Sequence, residues 1–139
     1  MSLQLKFVKV FRIVCYICAI YFLVMGFALI LFPAFISRIA GSQDPIILGM
    51  LRGAGGSIIP YSLLYILVAR FPLKMRWAVA VIAIANIAAI LLDFLSVFLG
   101  EYRLSYAMVD VPIEVISLLM MVLFLVRYSD NSRRVDLHN

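Results

Sequence analysis

Apolar residues fill this chain in four long blocks, at about residues 11–32, 47–69, 77–99 and 107–126, and only short connectors separate them. Each block is close to the ~20 residues that an α-helix needs to cross a hydrocarbon layer of ~30 Å. Prolines and turn residues mark the boundaries. Pro33 ends the first block, Asp44-Pro45 precedes the second, Arg70-Phe71-Pro72 follows it, and Gly100-Glu101-Tyr102-Arg103 follows the third. The residue before a proline is biased away from helix, so these positions are credible ends. The pattern predicts an all-α integral membrane protein, a four-helix bundle running up-down-up-down. It forms a single transmembrane domain over residues 1–139, with 127–139 a polar, mobile tail.

Composition agrees with that reading. The 139 residues are 66% hydrophobic and 14% charged, with a mean hydropathy of +1.14, well outside the range of a soluble domain of this length. The lipid bilayer is therefore the first partner. Span one has a basic start, but its apolar stretch is longer than the core of a secretory leader and no small-x-small site closes it. It reads as a membrane helix. Orientation follows from the twelve Lys and Arg residues. Lys6, Lys9 and Arg12 precede span one, Arg70, Lys74 and Arg76 join spans two and three, and Arg127, Arg133 and Arg134 follow span four. The alternate connectors hold only Arg38 and Arg103. The positive-inside bias then places both termini in the cytoplasm. The net charge of +5 is scattered over three short segments, so it marks topology and implies no nucleic-acid surface.

Several chemistries have no residues to carry them. The sequence shows no phosphate-binding loop, no intramembrane His and no Ser, His and Asp set for nucleophilic catalysis. Cys15 and Cys18, three apart on one helical face, lack a second cysteine pair, and the one His stands at position 138. They read as small packing residues. No metal and no cofactor is implied.

Ionisable residues inside the hydrocarbon are the candidates for function, because they are expensive there and turn toward the bundle interior or a watery cavity. Arg52 in span two, Asp93 in span three, and Asp110 and Glu114 in span four are the four that matter. By helix rise, Arg52 and Asp93 lie about 8 and 9 Å below the outer surface and Glu114 roughly 10 Å below it, with Asp110 near the boundary. Asp110, Glu114 and Ser117 make one stripe, and Asn86 shares a face with Asp93. One reading is a buried ion-pair network that orients helices. The other is an outer-facing site, since three carboxyls against one guanidinium leave acidic groups without a cationic partner. Tyr16, Tyr21, Tyr61 and Tyr65 are further candidates for buried hydroxyls.

Span two also carries a small-residue stripe. Gly49, Gly53 and Ser57 recur every four residues, with Gly56 beside them, a pattern that lets membrane helices approach closely. Pro60 removes a backbone donor at mid-span and frees the carbonyl of Gly56, which can kink the helix or present an acceptor to a cavity. Close packing is the favoured reading of both features.

The order of these features resembles a known layout. A short first loop, Leu51-Arg52-Gly53-x-x-Gly56 early in span two, an acid late in span three and Pro112-Ile113-Glu114 early in span four are similar to small four-helix bacterial membrane proteins of the DoxX-like kind and related families of unknown function. The resemblance implies the four-helix architecture and a bacterial inner membrane, and it transfers no chemistry. The favoured expectation is a non-enzymatic membrane protein, an accessory subunit or a binder of a small ligand or lipid, with the Arg52, Asp93 and Glu114 cluster lining an outer pocket. It would act alone, as a homo-oligomer or within a larger membrane complex. The alternatives are an enzyme on a lipid-like or isoprenoid substrate using Glu114 or Asp93 as acid and base, and an oligomeric proton or ion pathway through the same carboxyls.

Overall fold

The computed structural model describes residues 3–39, 44–101 and 103–135. Five helices follow one another: α1 (Leu3–Leu31), α2 (Pro33–Ile39), α3 (Pro45–Arg70), α4 (Arg76–Phe98) and α5 (Leu104–Val135), with no strand among the described residues. Four contain stretches long and apolar enough to cross a membrane: Leu5–Leu31, Pro45–Arg70, Arg76–Phe98 and Leu104–Tyr128. Only 22–33% of each stretch is buried within the chain, so most of its surface is left for lipid. Ile20 and Val24 on α1 and Leu91 and Leu92 on α4 are among the large apolar side chains on that outer surface. This is a multi-pass helical membrane protein, the form in which every backbone polar group is satisfied inside each span.

Local chemistry sets the ends. The Asp44 carboxylate accepts from the Ile46 amide at 2.8 Å, and Pro45 occupies the first helical position of α3, where no amide is needed. α4 closes at Gly100, whose φ of +73° is the left-handed conformation that glycine adopts freely. There the Gly100 amide donates to the Val97 carbonyl at 3.1 Å and the Glu101 amide to the Ser96 carbonyl at 2.9 Å, satisfying two orphan carbonyls. α5 runs past the expected span end through Val135. The last residues of the expected mobile tail, 136–139, lie outside the described residues. α2 was not anticipated: Pro33, expected to end span one, also begins this short helix.

Successive long helices run antiparallel. On α1, Phe22 lies against Tyr65 and Gly26 against Gly55, while Phe11 meets Phe124 and Tyr21 meets Asp110. The start of α1 and the end of α5 therefore lie at the basic end of the bundle, with Lys6, Lys9, Arg70, Lys74 and Arg127. α1 lies closest to α3 and α4 closest to α5, and the two pairs meet less intimately. The tightest point is backbone against backbone, since a Cβ placed on Gly55 would sit 2.6 Å from the Gly26 carbonyl oxygen.

The basic half of the bundle is filled. Phe11 stacks on Phe124 with ring centroids 4.3 Å apart, and Cys15, Cys18, Val68, Val79 and Met121 close around them, all fully buried. Both cysteines are free thiols in this core. In the other half the helix pairs separate.

Candidate functional site

The separation leaves a cavity of about 730 Å³ between the helix pairs, in the half of the bundle away from the basic end. Ligand sites run from about 300 to 1,000 Å³, so it is large enough for a drug-sized molecule. Phe22, Met25 and Leu29 of α1 give it an apolar wall, and Ile58 of α3 faces them. Ala85 and Ala89 of α4 and Ser57 of α3 are small side chains in the remaining wall. α2 covers the far end with Ile36 and Ile39. A hydrogen bond from the Tyr106 hydroxyl to the Ile39 carbonyl, 2.8 Å, ties that cover to α5.

The floor is a closed hydrogen-bond network. Asn86, 2% exposed, donates through Nδ2 to Ser117 Oγ at 2.8 Å and to the Tyr65 hydroxyl at 3.2 Å, and its Oδ1 accepts from the Tyr61 hydroxyl at 3.3 Å. Tyr65 and Ser117 share a hydrogen bond of 2.6 Å. Three helices are joined here at mid-membrane, where the alternative for each polar group is hydrocarbon. Asn86 thus borders the cavity with its amide already partnered.

Glu114 stands about one turn outward from Ser117 on the same stripe. It lines the cavity at 7% exposure, and its buried Oε2 has no hydrogen-bond partner among the described residues. An unsatisfied buried acceptor destabilises a fold by about 1–3 kcal/mol, more when charged, so such an atom needs a reason. One further turn outward is Asp110, half-buried, whose carboxylate accepts a hydrogen bond from the Tyr21 hydroxyl; the Val109 carbonyl is within reach of the same hydroxyl at 3.0 Å. Asp93 on α4 lies within electrostatic range of both Asp110 and Glu114. No Lys, Arg or His lines the cavity among the described residues. Nor does any group of three or more His, Cys, Asp or Glu side chains among them take up a metal-binding arrangement.

Arg52 is not brought to these carboxyls. It is exposed and outside the cavity wall. The Gly55 contact fixes how α3 is turned, and at about 100° per residue Arg52 and the cavity-lining Ile58 fall about 60° to either side of Gly55. Arg52 is therefore on the flank away from the cavity, about 10 Å from the start of α3, where its long stem carries the guanidinium toward the interface. Of the expected Arg52, Asp93 and Glu114 cluster, Glu114 lines the cavity, Asp93 is half-buried on α4 outside its lining, and Arg52 is exposed.

Gly49, Gly53 and Gly56 are likewise exposed, and a Cβ on any of them would meet nothing within 4 Å. Pro60 is exposed inside an uninterrupted helix. Within the chain the close approach is made by Gly26 and Gly55 instead. Tyr16 is exposed at 42%, while Tyr21, Tyr61 and Tyr65 do take part in the polar network. Tyr106 and α2 escaped the sequence reading. The alternation of apolar Phe35, Ile36 and Ile39 with Ser37 and Arg38 was the available signal.

No protein-family model, curated protein or solved structure matches the chain. Fold and site together define a class: a multi-pass helical membrane protein with an acid-lined cavity inside the bundle.

Proposed function

We propose that the protein is a non-enzymatic membrane binder of an amphipathic small molecule or lipid, held in the cavity with its polar head at Glu114 and its apolar part against Met25, Leu29 and Ile36. The observation that carries this reading is Glu114, a buried carboxyl in the wall of a largely apolar cavity, whose Oε2 has no hydrogen-bond partner among the described residues. The packed basic half, closed by Phe11 and Phe124, favours a pocket over a pathway through one chain. Part of the proposal is that the basic end faces the cytoplasm and that the protein works in a plasma membrane as an accessory to other components.

Native mass spectrometry of protein released from its own membrane tests the reading. Wild type should retain an amphiphile that A89W, which fills the cavity, does not. Equal retention by folded A89W would place the bound lipid on the outside of the bundle and end the proposal.

A further inference from the structure

The chemistry of the cavity restricts its occupant further. Two carboxyls line it, Asp110 and Glu114, with no Lys, Arg or His beside them among the described residues, and a third acid, Asp93, acts on both electrostatically. Asp110 already accepts from Tyr21, whereas Glu114 Oε2 accepts from nothing among the described residues. An anionic ligand would bring a like charge to these acids in a low-dielectric space. A neutral alcohol would supply a hydrogen to Oε2 but no opposing charge. A quaternary ammonium would supply charge but no N–H. A protonated primary or secondary amine supplies both, and charge-assisted hydrogen bonds are the strong ones. The rings of Tyr21, Phe22 and Tyr61 in the wall add faces that attract a cation.

Resting on the binding reading above, we propose that the ligand is an aliphatic amine in its ammonium form, with an N–H directed at the Glu114 carboxyl and an alkyl or isoprenoid body along the apolar wall toward α2. Glu114 lies about 15 Å along α5 from its first residue, so the head is deep and the body reaches outward past Leu29 and Ile36.

The test uses the full chain in phosphatidylcholine nanodiscs and four probes of equal length: dodecylamine, dodecyltrimethylammonium, dodecanol and dodecyl sulfate. Retention is read by native mass spectrometry, with A89W in the same discs giving the background from the bilayer. Dodecylamine should bind wild type about tenfold or more tighter than dodecanol and the trimethyl compound, the ratio that a charge-assisted hydrogen bond provides. E114Q should bring dodecylamine down to the dodecanol level while dodecanol retention persists, which shows that the variant folds and keeps its cavity. Equal binding of amine and alcohol by wild type overturns the amine assignment and leaves the binding reading standing. Preference for the sulfate overturns the assignment as well. Retention of all four at the A89W background overturns both.

Discussion

Substituting two glycines two residues apart on α3 asks how that helix is turned, on which the whole placement of the cavity depends. A methyl at Gly55 would lie 2.6 Å from the Gly26 carbonyl oxygen, 2.9 Å from Ile30 Cγ1 and 3.0 Å from Leu29 Cβ. The first of these is backbone and cannot rotate away, so α1 and α3 must move apart. Overpacking of this kind destabilises by about 1–3 kcal/mol. Gly53 has nothing within 4 Å of the same methyl. Both substitutions gain helix propensity of about 1 kcal/mol, which cancels in the comparison. G55A should therefore be less stable than G53A by about 1–3 kcal/mol, with G53A at or above wild type. Unfolding in mixed micelles of rising SDS fraction, followed by far-UV circular dichroism, measures the difference directly. Equal stability within about 0.5 kcal/mol would refute the Gly26–Gly55 contact. Greater damage from G53A would mean that α3 is turned to put its small-residue stripe against a neighbour.

The remaining expectations follow from the same geometry. R52A should change stability by no more than about 0.5 kcal/mol and leave amphiphile retention as in wild type, because Arg52 lies outside the cavity; a loss comparable to that of E114Q would restore it to the site. Tyr65 and Ser117 share a 2.6 Å hydrogen bond. A double-mutant cycle of Y65F and S117A in detergent should then give a coupling of about 0.5–1.5 kcal/mol, and additive effects would deny the bond. Y106F removes the bond to the Ile39 carbonyl, so hydrogen exchange over 33–39 should quicken while exchange in α1 and α3 holds. Unchanged exchange would mean that α2 is held by its apolar side chains alone. Cys15 and Cys18 are fully buried, so a water-soluble maleimide should label neither until SDS unfolds the chain; labelling in the native state would contradict the packed basic half.

The four membrane helices were legible because two strong signals coincide: apolar blocks of spanning length, and punctuation at Asp44-Pro45, Phe71-Pro72 and Gly100. α2 was not, since one proline both ends α1 and starts a helix of 7 residues, and a short helix has little room to show a period. Within the site, Asp110, Glu114 and Asn86 were legible for a physical reason. Their side chains are short, and a polar group on a short stem at that depth has to turn inward. Arg52 obeys a different rule. Its long stem can reach the interface from the lipid-facing flank, so charge alone does not say which way it faces. The rotation of α3 that decides the matter rests on Gly26 and Gly55, one glycine on each of two helices, which leave no repeating pattern to read. The Gly49, Gly53 and Ser57 stripe has such a pattern and lies on the exposed side.

The most direct test of the cavity as a binding site is where a ligand lands. A dodecylamine analogue with a diazirine in its chain, irradiated with the protein in phosphatidylcholine nanodiscs and mapped by peptide sequencing, should label Met25, Leu29, Ile36 and Ile58, and unlabelled dodecylamine in excess should suppress that labelling. Adducts confined to lipid-facing residues such as Ile84, Leu91 and Leu92, undiminished by competitor, would contradict it.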